Sequence, residues 1–425
     1  MIKKLNTIII LITLFCLILF IIACTAGKSE KKTVIRYIRW VSVQEAKDFQ
    51  ILIDKFMELH PSIKVIPEFL PWAAYWEKLR TSILNGDAAD VISLSNIESA
   101  HYITRGVFLK MNSLEGVQTL LDEMHDSARK AVTYNDNIYA MPVGMAVRAL
   151  IYNKAMFDEA GIPCPSNTVP MTWDEFKAIG KKLTKKVGKE VVQYAAHFHK
   201  MELFEALVVQ KGGKLLDNDT HPTKVVINTP EGIAGLQLMV DLIKDEILPP
   251  HFGEWEGPWG TPDSAVATGK VAIMQAGLWS RRPLKAAGID FGTAPLPRDK
   301  NRATRGNINS LAIYRSSKKV DAAWTFIKWM ASVEGQIEFV KTGDLPANKN
   351  AIEPAKQNHE LPLETVTPFF DELQYVIPGS MLSGAEFNAL IDDVVTQMLQ
   401  LKITPQETAA ILEKEGNEII KYLFE

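Results

Sequence analysis

The chain has 425 residues, more than a single hydrophobic core usually holds, so two domains are expected. It is 47% hydrophobic and 23% charged, which excludes a disordered, collagen-like or low-complexity protein. With 47 basic and 50 acidic residues the formal charge is −3, so no basic excess would attract nucleic acid. The three cysteines are too few for a disulfide framework.

The N-terminus has the pattern of an export signal. Lys3 and Lys4 precede an uncharged apolar run at 7–23, and positive charges stay on the cytoplasmic side while such a run enters the bilayer. The run ends in Ile-Ile-Ala-Cys, which resembles the bacterial lipobox, where the cysteine is acylated and becomes the new N-terminus. We predict a signal peptide at 1–23, lipidation of Cys24 (palmitate) and a tether at 24–32. An uncleaved anchor helix is the alternative, because a run of this length nearly spans a bilayer.

After the tether, strands alternate with helices. β-Branched and aromatic residues predict a strand at 33–39, and apolar residues at helical spacing predict a helix at 46–59. The same signals predict a strand at 63–69, a helix at 73–85 and a strand at 91–94. This alternation is typical of a parallel sheet with helices on both faces.

The alternation resumes after residue 142. Thr172 and Glu175 have the spacing of a capping box, and Thr229 with Pro230 marks another helix start. The predicted strands are 148–152, 269–275 and 289–294, and the predicted helices are 153–160, 230–245 and 320–330, with a mostly helical chain beyond 353.

Several stretches match one family. The segments Tyr-Ala-Met-Pro at 139–142, Leu-Ile-Tyr-Asn-Lys at 150–154 and Thr-Trp-Asp-Glu-Phe at 172–176 resemble the central signature of extracellular solute-binding proteins of carbohydrate ABC importers. Upstream, Asn-Gly-Asp-Ala-Ala-Asp-Val at 85–91 is similar to the family's Gly-x-Ala-Pro-Asp-Val, with alanine where proline is common.

The resemblance continues downstream. Gly-Lys-Val-Ala-Ile-Met at 269–274 and Gly-Leu-Trp at 277–279 are similar to the family's Gly-Lys-x-Ala-Met and Gly-x-Trp block. The motifs therefore follow the family's order over nearly the whole mature chain. They imply an α/β, two-lobed periplasmic-binding-protein-like fold (type 2), with the ligand cleft between the lobes.

The resemblance also implies how the chain divides. The expected lobes are 33–143 plus 306–345 for the first and 144–305 plus 346–425 for the second, with crossings near 141–149, 303–310 and 342–350. Ligands of open α/β sheets bind beyond the carboxyl ends of strands, so a cleft between two sheets would remove water from a small solute on both sides.

Four tryptophans are candidates for the flat aromatic faces that cover the C–H faces of a sugar ring. Trp40 follows the first predicted strand, and Trp72 follows the strand at 63–69. Trp279 resembles the family's frequent stacking tryptophan, and Trp259 lies in a loop-like stretch. A place in a hydrophobic core is the alternative role for each of them.

Five polar residues are candidates for satisfying sugar hydroxyls. Glu45 lies at the start of the first predicted helix, and Asn96 follows the strand at 91–94. Arg148 lies near the first crossing and Asn309 near the second. Asp90 precedes a strand, where capping a helix or loop is its alternative role.

The resemblance implies a lipid-anchored receptor on the extracytoplasmic face of the membrane, which binds a sugar or oligosaccharide and delivers it to an ABC permease. We expect a monomer without enzymatic activity, cofactor, metal or nucleic-acid partner. A receptor for a polyamine or glycerol phosphate is the alternative, and a surface-anchored glycoside-active enzyme is another. The enzyme would need two carboxylates across a cleft, and no spacing selects such a pair. His197 and His199 are the only close histidine pair and do not by themselves indicate a metal site.

Overall fold

The computed structural model describes residues 32–42, 45–96, 102–103, 105–218, 222–250, 259–357, 360–378 and 385–424. The predicted signal peptide, Cys24 and nearly all of the predicted tether lie outside these residues. No helix in these ranges combines the length and the apolar composition that crossing a membrane requires.

The strands of the described residues are, in chain order, β1 (Thr33–Trp40), β2 (Ile63–Leu70), β3 (Val91–Ser95), β4 (Thr133–Tyr134), β5 (Asn137–Ile138), β6 (Met141–Ala146), β7 (Ala149–Asn153), β8 (Lys185–Val187), β9 (Glu190–His197), β10 (Val271–Ala276), β11 (Phe291–Ala294), β12 (Thr304–Ile313) and β13 (Val376–Pro378).

The helices are α1 (Ala46–Leu59), α2 (Trp72–Leu84), α3 (Val117–Asp122), α4 (Asp126–Lys130), α5 (Lys154–Ala160), α6 (Trp173–Leu183), α7 (Lys200–Gln210), α8 (Pro230–Lys244), α9 (Pro262–Ala267), α10 (Arg281–Ala286), α11 (Val320–Ala331), α12 (Val333–Phe339), α13 (Lys349–Gln357), α14 (Leu363–Glu372), α15 (Ala385–Leu399) and α16 (Pro405–Phe424). Short 3₁₀ turns occupy Leu278–Ser280, Val340–Thr342 and Leu373–Tyr375.

Local sequence signals explain where several helices begin. The Thr172 side chain accepts a hydrogen bond from the Glu175 amide, and the Glu175 carboxylate accepts one from the Thr172 amide, so the predicted capping box is confirmed at the start of α6. Thr229 caps α8, whose first residue is Pro230. The predicted helix at 46–59 coincides with α1.

The first sheet has the strand order β13-β12-β3-β1-β2, with β6 paired to β12. β1 runs parallel to β2 and β3, but β12 runs antiparallel to β3, with Asn309 opposite Ser95. The parallel pairing predicted for the strands at 33–39, 63–69 and 91–94 is confirmed, but the sheet as a whole is mixed because β12 runs antiparallel to β3 and β6. β6 and β12 bring the chain to and from the second sheet, so their direction is set by the crossings rather than by a strand–helix–strand repeat.

The second sheet has the order β11-β7-β10-β9-β8 and is also mixed. β10 runs parallel to β9 and antiparallel to β7. Two hydrophobic clusters are buried: one contains Tyr37 and Phe56 with α1 and α11, and the other contains Phe176 and Phe204 with α6 and α7. The first cluster also includes Val271 and Met274 of β10, so the two clusters meet at the second sheet, and together they account for the length of the chain.

Three segments connect the two sheets. The first is only residues 147–148, because β6 ends at Ala146 and β7 begins at Ala149. The second leads into β12, which begins at Thr304, so most of the predicted crossing at 303–310 is a strand of the first sheet. In the third, the amides of Met145 and Leu345 each donate to the carbonyl oxygen of the other residue, at 2.7 and 2.8 Å.

Residues just after the third crossing pack on the first core. Ala347 and Ala355 are buried there, and α13 contacts α12. The lobe boundary expected after residue 345 stays a prediction, and these contacts favour a later position, after α13.

Candidate functional site

A buried polar network lies where the first sheet meets the crossings. Arg39 follows the alternation of β1 into the interior, where its Nη2 lies 3.2 Å from Asp344 Oδ2. Asn309 Nδ2 donates to the same Asp344 oxygen at 2.8 Å. Burial raises the pKa of Asp344, although the Arg39 guanidinium opposes that shift. The network thus ties β1, β12 and the third crossing together.

Aromatic rings cluster at the carboxyl end of β1. The Trp40 ring lies 5.1 Å from the Trp72 ring and 5.7 Å from the Trp76 ring, and Tyr75 packs on both Trp40 and Trp76. Trp72 is 38% exposed, whereas Trp76 is buried. The structure therefore brings the two predicted tryptophans, Trp40 and Trp72, into contact. Trp76 packs against both rings, and Tyr75 packs against Trp40.

The second lobe contributes Trp279, in the turn that follows β10. The indole is partly exposed and folds back on Gly277, where an added Cβ atom would lie 1.9 Å from the ring. The Arg148 guanidinium lies over the ring at 5.2 Å. Two residues predicted separately, Arg148 and Trp279, are thus in contact.

Carboxylates from both lobes approach the gap between the sheets. Burial raises the pKa of Asp263, on α9, to about 6; Ser280 lowers it and the charge of Glu45 raises it further. Glu45 also raises the pKa of Asp344. Glu45, at the start of α1, therefore lies within electrostatic range of the second lobe and of the third crossing. Its Oε2 accepts a hydrogen bond from the Ser42 amide at 2.7 Å.

Asn96 follows β3, as predicted, and lies beside the second crossing. Its Oδ1 accepts a hydrogen bond from the Ile308 amide at 2.8 Å, so the end of β3 is tied to β12 next to Asn309. The side chain is buried, which gives it a role in holding the crossing in place.

Two predicted site residues lie elsewhere. Asp90 precedes β3 at the opposite end of the sheet and accepts hydrogen bonds from the Arg36 amide, Ser317 and Lys319. Burial alone would raise the pKa of the Asp90 carboxyl group, but these hydrogen-bond donors lower it. Asp90 therefore has a structural role, in which it joins the segments that carry these donors. Trp259 packs on Tyr194, which pairs with the first residue of β10 rather than with its carboxyl end.

Two neighbouring arginines of α10 also connect the lobes. Arg282 on α10 lies 2.6 Å from Asp48 on α1, and Arg281 donates to the Lys341 carbonyl oxygen and to Glu360. Both arginines are therefore engaged in contacts within the protein.

Four functional candidates were missed by the sequence analysis: Arg39, Tyr75, Asp263 and Asp344. Asp344 lies in the predicted third crossing, so the crossing itself was the signal that could have identified it. Arg39 precedes Trp40 on the same strand, but a charged residue inside a strand does not show which partner will bury it. Asp263 becomes recognisable only when the lobes are placed face to face.

His197 and His199 lie at the end of β9 and the start of α7. Neither Nδ1 atom has a hydrogen-bond partner among the residues that the structure describes. Within the same residues, no three histidine, cysteine or acidic side chains are arranged to hold a metal ion.

Because burial lowers the pKa of His197 to about 4, we predict that the free energy of unfolding falls as the pH drops below 6.5. Between pH 6.5 and about 4 the unfolded chain binds a proton at His197 that the folded chain does not, which costs at most about 1.4 kcal/mol per pH unit. Above pH 6.5 His197 is neutral in both the folded and the unfolded chain, and below about pH 4 it is protonated in both. Urea unfolding across the window should show a flatter profile for His197→Gln than for the natural chain. An equally steep profile would assign the titration to another group.

Two mixed α/β lobes, with aromatic and polar side chains converging between them, define a two-lobed ligand-binding protein. Residues 40–337 match the model of the bacterial extracellular solute-binding proteins, and the chain belongs to that family. Members of an extracellular family act outside the cytoplasm.

Similar proteins cover most of the chain. It is 25% identical over 408 residues to the maltotriose-binding protein of Pyrococcus abyssi, covering 91% of this chain and 82% of the relative. It is 23% identical over 348 residues to the galactooligosaccharide-binding protein of Bacillus subtilis, covering 79% and 78%. An ABC substrate-binding protein of Listeria monocytogenes, solved in complex with cycloalternan, superposes with a TM-score of 0.78 at 22% identity and covers 92% of this chain and 99% of its own. That superposition shows that the two proteins share the two-domain fold.

Proposed function

We propose that the protein is a receptor that binds a sugar or oligosaccharide between its lobes and delivers it to an ABC importer. The observation that carries this proposal is the pair of partly exposed aromatic surfaces, Trp40 with Trp72 and Trp279, which come from opposite lobes. Aromatic faces cover the C–H faces of sugar rings, and the Asn309 amide and the partly exposed Glu45 carboxylate provide polar groups for hydroxyls. The saccharides named for the relatives support the same class of ligand.

In the proposed mechanism no bond is made or broken. Ligand contacts that only the closed arrangement completes shift the population toward closure, and the permease takes the solute from that form. We propose that the receptor is a monomer and that its lobes divide as the sequence predicts, with the later third boundary that the packing of α13 favours.

A cationic solute such as a polyamine is the second candidate. Glu45 lies within electrostatic range of both Asp263 and Asp344, and burial raises the pKa of both aspartates. A ligand amine would relieve this crowding of negative groups.

Isothermal titration calorimetry of the mature chain against mono- and oligosaccharides, with polyamines in parallel, tests the two candidates. We expect saturable binding of a saccharide, and mass spectrometry should recover that saccharide unchanged after prolonged incubation. Binding of polyamines alone would favour the second candidate, and hydrolysed saccharide would support the enzyme alternative.

We also propose that acylation of Cys24 holds the receptor on the membrane, because Cys24 follows the apolar run as the lipobox requires. Cys24→Ser should move the protein from the membrane to the soluble fraction in cell fractionation. Cys16→Ser, which changes the other cysteine of the N-terminal segment, should leave it on the membrane. If the Cys24 variant stays on the membrane as well, the segment is an uncleaved anchor helix.

A further inference from the structure

Two glutamates of α7 hold the two arginines next to the crossings. Glu202 and Glu205 are three residues apart, so they share one face of the helix. Glu202 Oε2 lies 2.5 Å from Arg148 Nε, and Glu205 Oε2 lies 2.9 Å from Arg305 Nε. Arg148 belongs to the two-residue first crossing and Arg305 to the start of β12.

The Arg148–Glu202 pair is almost completely removed from water. Its side chains are 8% and 4% exposed, and burial lowers the pKa of Arg148 while Glu202 opposes the shift. Arg148 Nη1 also donates to the Ala146 carbonyl oxygen at 3.2 Å. The ion pair with Glu202 and the hydrogen bond to Ala146 involve different nitrogens of the guanidinium, so together they restrict its plane as well as its position.

Among the residues that the structure describes, the two other acids near Arg148 already have partners of their own. Glu205 is paired with Arg305, and Asp344, the other acid that acts on Arg148, is held by Arg39 and Asn309. A buried guanidinium without its carboxylate partner is an uncompensated charge, so it is expected to move toward other acceptors or toward water.

The position of the Arg148 guanidinium matters because it lies over the Trp279 ring. Of the two arginines held by α7, only Arg148 lies over an indole among the described residues. The backbone of Gly277 packs against the same ring. The orientation of the indole is therefore set by two contacts, one with Gly277 and one with the Arg148 guanidinium.

We propose that Glu202 is a positioning residue for ligand binding. It holds the Arg148 guanidinium over Trp279, keeps the indole in the orientation that a sugar ring can use, and does not touch the ligand itself. This inference rests on the proposed function in taking Trp279 as a ligand contact.

The test compares Glu202→Gln with Glu205→Gln. Both variants make the same substitution on one face of one helix, and both remove the acid of a buried ion pair. Arg148→Lys tests the same contact with Trp279 from the other partner, because lysine keeps the positive charge but lacks the planar guanidinium. Because the chain has nine tryptophans, uniform 5-fluorotryptophan labelling is used, and the ¹⁹F resonance of Trp279 is assigned with Trp279→Phe.

Without ligand, we expect the Trp279 resonance to shift in Glu202→Gln and Arg148→Lys and to stay in place in Glu205→Gln. With the saccharide that the natural chain binds, the Kd should rise about five- to tenfold in the first two variants and change less than about twofold in Glu205→Gln. A role in stability alone would lower the melting temperature of both glutamate variants without separating their Kd values. If Glu202→Gln does not fold, Arg148→Lys carries the comparison.

Different results would overturn the proposed function and the positioning role. A natural chain that binds no saccharide overturns the proposed function, whatever the fluorine spectra show. A Trp279 resonance and a Kd that are unmoved in Glu202→Gln and Arg148→Lys overturn the positioning role, even when saccharide binding is intact.

Discussion

Replacing Asp344 by alanine should destabilise the folded protein by about 3–5 kcal/mol, because the Arg39 guanidinium would remain buried without its acid. Arg39 is inserted among the rings of Trp40, Phe49 and Phe339, at 4.2 to 5.1 Å from their centroids. Water cannot reach the guanidinium there to replace the lost carboxylate. Urea unfolding of the mature chain measures the difference.

The matched control is Asp87→Ala, which removes the acid of another arginine pair on the same strand. Arg36 and Asp87 are 40% and 78% exposed, so that change should cost no more than about 1 kcal/mol. Asp344→Asn keeps an acceptor for Asn309 and should fall between the two variants. Equal losses for Asp344→Ala and Asp87→Ala would contradict the claim that the buried network stabilises the crossing.

Replacing Trp279 by alanine should weaken saccharide binding more than tenfold, which corresponds to about 1.4 kcal/mol or more. The substitution removes the aromatic face of the second lobe and leaves the Arg148 guanidinium without the ring beneath it. Titration calorimetry gives the dissociation constant, and thermal unfolding shows whether the variant is folded.

Two further variants make this result specific. Trp279→Phe keeps an aromatic face and should retain most of the affinity. Trp259→Ala removes a tryptophan that packs on Tyr194, and the dissociation constant should stay within about threefold of the natural value. An unchanged constant in Trp279→Ala would remove Trp279 from the site.

Much of the fold could be predicted from the sequence because its signals are local. The strand at 33–39 and the helix at 46–59 follow from side-chain periodicity, and Thr172 with Glu175 marks a helix start by its own hydrogen bonds. The direction of β12 could not be predicted in this way. That direction depends on the crossing by which the chain enters the sheet, and the side-chain periodicity within a strand carries no information about the crossing.

The candidate site was predicted less completely, since its contacts join residues that are far apart in the chain. Trp40 and Trp72 were recognised because each follows a strand, and the structure places their rings together. Asp90 also adjoins a strand, but it precedes β3 and therefore lies at the wrong end. The partner of Arg39 is 305 positions away, so no spacing rule could have named Asp344.

The first crossing, of only two residues, restricts how the two lobes can rotate relative to each other. β6 is hydrogen-bonded to β12, and Leu345 is hydrogen-bonded to Met145, so all three connecting segments are fastened to the first sheet. Bending is concentrated where backbone pairing stops, which leaves the pivot at 147–148 and just ahead of Thr304. On closure the first lobe would then rotate as one rigid body, because all of its pairing with the connecting segments stays intact.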